Sequence, residues 1–338
     1  MDPISLRRCG TATLVTALAC VNAMQLRSAE SHAQSAPVTG AYPTKPIRLI
    51  VPFPPGGSND IVGRFIGQKL TARLGQQTVI DNRAGADAII GTNLAANAVP
   101  DGYTMLIVST TYTMTPATHK KLPYDPLKSL TPIALIGTGP FIIATWPGLQ
   151  VNSVKELIAL AKAKPGQLHY ASSSAGGATN FAGELFKLMA GVDIVHVAYK
   201  GGGPAMMDVM SGHVPVLVNT LFAVLPHVHS GRLKVLAVSS AKRTSILPDI
   251  PTIAEAGVPG YEASIWWGML GPAGMPRDIV TKINSEIGAI LRDPETVKWF
   301  TLQAADPVTA TPDDFRRLIA ADITKWIKVA KEAGISIQ

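Results

Sequence analysis

The chain has 338 residues, 47% of them hydrophobic and 16% charged, with a formal net charge of +7. That length supports two domains with a core in each, and the apolar fraction is too high for a disordered chain. The charge is spread without a Lys/Arg block, which argues against nucleic acid as a partner and leaves a mild attraction for small anions. Beyond the leader, no uninterrupted apolar run reaches the roughly 18 residues that a membrane span needs.

Residues 1–33 read as a signal peptide rather than as part of the fold. Arg7 and Arg8 form a positive start, Cys9 to Met24 is apolar, and Ser31-His32-Ala33 offers small residues for cleavage near Ala33. Export to the periplasm is the expectation. A weaker lipobox, Ala17-Leu18-Ala19-Cys20, would instead leave Cys20 lipidated. Cys9 and Cys20 are the only two cysteines, so the mature chain has no thiol, disulfide or Cys-ligated metal.

Polar residues from Ser35 to Pro46 lead into a short buried strand, Ile47 to Val51, stopped by Pro52. After the turn Pro54-Pro55-Gly56-Gly57-Ser58-Asn59-Asp60, apolar residues recur at helical period at Ile61, Phe65, Ile66 and Leu70. The theme repeats with a strand at Gln77 to Ile80, a turn at Asn82 to Gly85 and a helix from Ile89 to Ala98. A strand from Met105 to Ser109 follows. A second set starts at the strand Phe141 to Ala144. Ser153 and Glu156 then form a capping box for a helix that runs to about Lys164, before Pro165-Gly166.

Strands follow at His169 to Ala171, Ile194 to Ala198, Val214 to Val218 and Leu233 to Val238, with helices at Phe181 to Met189 and Ala205 to Ser211. Amphipathic helices close the chain at Arg277 to Arg292, Glu295 to Gln303 and Pro312 to Ala333. Alternating strands and helices imply a mainly parallel sheet with helices on both faces. We expect two α/β lobes, 42–140 plus 262–338 and 141–261, with the chain crossing between them near 140 and again near 262.

Three turns, 54–60, 171–180 and 200–204, each sit between a strand and a helix. In open parallel sheets a ligand binds at the strands' carboxyl ends, where helix N-termini present unpaired N–H groups to an anion. The plain alternative is that Gly, Ser and Asp serve turn and cap chemistry alone.

No nucleotide fingerprint exists: Gly137-Thr138-Gly139 lacks the third glycine at 142. Ser172-Ser173-Ser174-Ala175-Gly176 narrowly misses Gly-x-Ser-x-Gly, so an exported serine hydrolase on that turn is the rival function, with His196, His213, His227 or His229 as its base. His227-Val228-His229 places its imidazoles on opposite faces of a strand, so no metal or cofactor is expected. Trp146, Trp266 and Trp267 near the crossings either wall a cleft or pack a hinge.

Tyr42-Pro43 through Pro54-Pro55-Gly56-Gly57 to Asp60, Asn82-Arg83-x-Gly85-Ala86, Pro100-Asp101-Gly102-Tyr103-Thr104, Ala182-Gly183-Glu184-Leu185-Phe186 and His196-Val197-x-Tyr199-Lys200-Gly201 together resemble the Bug family. These are the extracytoplasmic solute receptors of tripartite tricarboxylate transporters. The resemblance runs from Tyr42 to the C-terminus. It implies a type II periplasmic-binding-protein fold, two α/β lobes around a ligand cleft, acting as a monomer without enzymatic chemistry. The implied ligand is a small carboxylate: an amino acid, a di- or tricarboxylate, or an aromatic acid. Membrane permease subunits are the implied partners; presentation to a sensor kinase fits the same residues.

Carried over from the family, the ligand contacts are Phe53, Pro54, Gly56, Gly57, Ser58, Asn59 and Asp60 in the first turn. In the second they are Ser172, Ser173, Ser174, Ala175, Ala178, Thr179 and Asn180. Asp60 reads as a helix cap and turn organiser, because a bare carboxylate would repel an anion. The chain departs from the family at Gly85-Ala86-Asp87-Ala88-Ile89, where relatives show Gly-Ala-Gly-Gly-Asn. Ala86 and Asp87 therefore join the site, Asp87 either receiving a ligand's ammonium or capping the helix. Asn219 joins it too, standing where a strand-end Asp is common.

Overall fold

The computed structural model describes residues 42–332, 334 and 335; the expected leader and its cleavage site lie outside them. The chain runs β1 (Ile47–Val51), α1 (Ser58–Leu74), β2 (Thr78–Asn82), α2 (Ile89–Ala96), β3 (Thr104–Ser109), α3 (Thr111–Thr118) and β4 (Leu130–Thr145). It continues through α4 (Val154–Ala163), β5 (His169–Ser172), α5 (Ala178–Ala190), β6 (Val195–Ala198), α6 (Gly202–Met210), β7 (Val216–Thr220), α7 (Leu221–His229) and β8 (Lys234–Val238). Then come β9 (Ser264–Pro272), α8 (Arg277–Arg292), α9 (Pro294–Leu302), β10 (Asp306–Pro307) and α10 (Pro312–Glu332).

Local chemistry explains many of these bounds. Ile47, Leu49, Ile50 and Val51 are all buried, as expected for a parallel strand covered on both faces. Gly75 ends α1 in the left-handed conformation at φ 69°, where a Cβ would be strained. The Ser153 hydroxyl accepts from the Glu156 N–H at 3.2 Å and the Glu156 carboxylate from Asn152 N–H at 2.8 Å, so the reciprocal bond lands one residue before the cap. In α8, Ile279, Ile283, Ile287 and Ile290 form one buried stripe; each such burial stabilises by about 1.5–3 kcal/mol.

Strand order is β2-β1-β3-β9-β4-β7-β5-β6, with β8 and β10 also pairing on β4. The parallel expectation holds for β1 with β2 and β3, and for β5 with β6 and β7. It fails at β4 and β9, whose pairings are all antiparallel. Antiparallel neighbours do not need the right-handed helical crossover that parallel neighbours require, so the strand–helix alternation did not anticipate them.

β4 begins at Leu130, well before the expected Phe141. Its residues Leu130 to Pro140 pair with β9 in one sheet, and Phe141 to Thr145 pair with β7 and β8 in the other. Pro132 and Gly137 flank its register shifts, which is where strands tolerate such residues and why no strand pattern shows there. Fully buried Ser239 ties the crossings together. Its Oγ accepts from the Phe141 N–H at 2.7 Å and donates to the Ala263 carbonyl at 2.5 Å.

Helices α3 and α7 were not expected. Each contains a proline, and α3 is rich in threonine, so propensity opposes them and tertiary burial overrides it. His227 and His229 consequently lie in the last turn of α7, not on a strand. Of the two readings of the tryptophans, packing is what the structure displays. Trp267 is fully buried with its ring 5.3 Å from that of Phe222, and Trp266 Nε1 donates to Asp322 at 2.7 Å.

Candidate functional site

Helices α1, α3, α5, α6 and α7 begin just after β1, β3, β5, β6 and β7, and their N-terminal turns line one chamber of about 60 Å³. Asn59 comes from α1, Thr111 from α3, Thr179 from α5, Gly203 from α6 and Thr220 from the start of α7. A helix start has N–H groups without intrahelical partners and a partial positive charge; here Thr220 caps α7 through the Ala223 N–H, and Thr111 takes the Ala178 N–H of α5. Gly57, Gly177 and Gly201 precede α1, α5 and α6 without a side-chain cap. Among the described residues, no charged side chain lines this chamber. Asn59 Oδ1 and Ser109 Oγ border it, buried and without a hydrogen-bond partner. A buried polar group left unpaired costs about 1–3 kcal/mol, so pairing with a bound molecule or water there is favourable.

A wider outer chamber of about 560 Å³ adjoins the first, sharing Phe53, Pro54, Ser173 and Gly201. Its charged residues are Asp87 and Lys200. Elements of both sheets form the walls and touch across them. Thr111 Oγ1 accepts from the Ala178 N–H at 3.2 Å, and a Cβ on Gly201 would stand 3.3 Å from Pro54 Cγ.

Of the residues expected from sequence, Phe53, Pro54, Gly57, Ser58, Asn59, Ser173, Ala178, Thr179 and Asn219 line the inner chamber. Ala86, Asp87, Ser174 and Ala175 line the outer one. Gly56, Asp60, Ser172 and Asn180 line neither and build the turns behind them.

Asp60 is the third residue of α1, so it organises the turn without being the cap. Its carboxylate accepts from the Gly56 N–H at 3.0 Å, Arg64 Nε at 2.9 Å and Asn82 Nδ2 at 2.9 Å. Burial alone would raise its pKa, but these donors outweigh burial and hold the carboxyl below its usual range. Asn180 is occupied with Gly176 N–H and the Tyr170 hydroxyl. Asn219 joins two helix starts, donating to the Gly202 carbonyl at 3.2 Å and accepting from Thr220 N–H at 2.8 Å.

Ser172, not Ser174, meets an imidazole: its Oγ lies 2.6 Å from His196 Nε2 and donates to the Ser174 carbonyl at 3.0 Å. Ser172 is fully buried, and burial lowers the His196 pKa against the opposing pull of Glu184. The pair braces the turn from behind. Asp87 does not cap α2, whose N-cap is Ala88 with no side-chain bond.

Ser109, Thr111, Thr220, Ala223, Ile265 and Pro55 line the inner chamber without being singled out from sequence, whereas the 201–204 stretch belongs to the third turn expected there. The first four flank α3 and α7. Recognising those helices would have revealed two more strand-to-helix turns of the same kind.

The model of the family described as "Tripartite tricarboxylate transporter family receptor" matches residues 62–335. Protein BugT of Bordetella pertussis is 38% identical over 307 residues, covering 90% of this chain and 94% of that protein. The solved structure of R. palustris Rpa4515 with adipate is 37% identical, with a TM-score of 0.86 over 88% of this chain and 100% of that one. MatC (Rpa3494) from Rhodopseudomonas palustris with bound malate is 27% identical, with a TM-score of 0.81 over 85% and 99% of the two chains.

Proposed function

We infer the function of this chain from the family to which it belongs, the tripartite tricarboxylate transporter receptors. It is a solute-binding receptor with the two-lobed periplasmic-binding-protein fold. Its ligand is a small carboxylate, captured in the periplasm after removal of the leader and handed to membrane permease subunits. The convergence of five helix N-termini on a chamber without charged side chains carries this reading. Backbone N–H groups and hydroxyls hold a carboxylate there without an ion pair. Adipate and malate in the two solved relatives are carboxylates of that class.

The lobes are 42–140 plus 262–338 and 141–261, with the turns 53–59, 173–179 and 201–204 as the grip. A ligand touching both lobes stabilises the closed state by its higher affinity for it, and the closed state is what a permease receives. The Thr111–Ala178 hydrogen bond spans the proposed lobes, and Gly201 leaves room beside Pro54 on the facing wall.

Thermal unfolding of residues 34–338 against amino acids, di- and tricarboxylates and aromatic acids tests the reading. A ligand at about 100 times its Kd adds roughly 2.7 kcal/mol and raises the midpoint by several degrees. A protein shown to be ligand-free that responds to no carboxylate would sink it.

A further inference from the structure

We propose that Asp87 selects the ligand's far end: the site takes a molecule with a carboxylate at one end and an N–H donor, an ammonium or amide, at the other. This rests on the carboxylate-receptor reading above and deepens it.

The Asp87 side chain lines the outer chamber and is only 10% exposed. Its backbone is held there at a cost. Ala86, Asp87 and Ala88 have φ of 45°, 50° and 75°, three successive L-residues in the left-handed region. Each such residue is strained by about 1–2 kcal/mol, and strain of that kind gathers at binding sites. The carboxylate's compensation is thin. His119 Nε2 stands 3.9 Å away, beyond hydrogen-bond distance, and its Nδ1 is engaged with Thr118 Oγ1 at 3.0 Å. The Ser174 hydroxyl lies close enough to donate to it, which offsets part of the burial, and Lys200 borders the same chamber but is exposed to solvent. Burial accordingly raises the Asp87 pKa, with Ser174 and His119 offsetting only part of the effect.

A second carboxylate reaching this wall meets a buried negative charge and is repelled. An N–H group meets an acceptor short of donors. The inner chamber has the opposite character, offering N–H groups and hydroxyls to an anion. The two chambers thus discriminate the two ends of one ligand, by attraction and by repulsion together.

Calorimetric titration of residues 34–338 with matched pairs reads this directly: succinate and 4-aminobutanoate, glutarate and 5-aminopentanoate, adipate and 6-aminohexanoate, adipate and adipamate. The N–H-bearing member of the fitting pair binds at least about tenfold tighter than its dicarboxylate. Asp87→Asn erases or reverses that ratio. Asp87→Gly, which the positive φ favours, repeats the test should the Asn variant fail to fold. Equal or tighter binding of the dicarboxylates to the native chain, or a ratio unchanged in both variants, overturns the proposal and leaves the receptor standing. Absence of binding by every member of both series to a ligand-free chain overturns the proposal, and the receptor reading falls with it only if the amino acids, tricarboxylates and aromatic acids of the thermal panel also fail.

Discussion

Ser239 and Phe141 are joined by two hydrogen bonds: the Phe141 N–H donates to Ser239 Oγ at 2.7 Å, and the Ser239 N–H to the Phe141 carbonyl at 2.9 Å. Phe141 is the first residue of β4 to pair in the second sheet, and Ser239 also donates to Ala263, just before β9. Ser239→Ala strips the Phe141 N–H and the Ala263 carbonyl of their partner in a fully buried place. We expect a loss of about 1–3 kcal/mol and a midpoint lowered by several degrees in thermal denaturation. An unchanged midpoint would mean that water replaces the hydroxyl there.

Gly57→Val tests the chamber. A Cβ at Gly57 meets nothing closer than the Pro54 carbonyl at 4.0 Å, and the backbone φ of −85° suits any residue. The fold should therefore tolerate valine, while the side chain occupies room meant for the carboxylate. Overpacking of about 1–3 kcal/mol then falls on the ligand, weakening it roughly tenfold to a hundredfold by titration while the unfolding midpoint stays near that of the parent.

Asp60 is a stabilising carboxylate with its pKa held below the ordinary value. Its contribution is complete above the unfolded pKa and is lost as pH falls through the lower, folded one. Asp60→Asn should cost about 2 kcal/mol at neutral pH, since bonds to a charged acceptor are replaced by weaker ones. Midpoints measured across pH should converge at the acidic end; a gap independent of pH would point to geometry rather than charge.

Asp87 has the opposite sign. Its folded pKa is raised by burial, so the charged side chain destabilises the ligand-free protein as pH rises above the unfolded value. Asp87→Asn should melt higher than the parent at neutral pH, with the difference closing as pH falls below the ordinary carboxylate range. Asparagine tolerates the positive φ at this position, which keeps the comparison one of charge. A lower melting point for the variant would refute an uncompensated carboxylate.

What the sequence reveals follows the range of the forces involved. The apolar period over Arg277 to Arg292 marks α8 because one stripe of isoleucines suffices to define a helix. β4 is hidden because Pro132, Gly137, Gly139 and Pro140 contradict a strand locally, and only pairing on both sides holds them in one. The turns 53–59 and 173–179 are legible as small, polar strand-to-helix junctions. Which members face the ligand is not, since Ser172 and Ser173 carry the same side chain. Only the fold turns Ser172 toward His196 and places Ser173 beside the chamber. Asp87 announces itself as an oddity of charge, yet whether it caps α2 depends on three backbone torsions no pattern encodes.

The unbroken passage of β4 from one sheet into the other makes the protein a flexure rather than a pinned joint. At this first crossing paired strand, not a loop, joins the two sheets, and the Ser239 bonds hold Phe141 in place beside Pro140. A parting of the sheets there would have to twist β4 itself, so the torsional give of a few peptide units would set how far it could go.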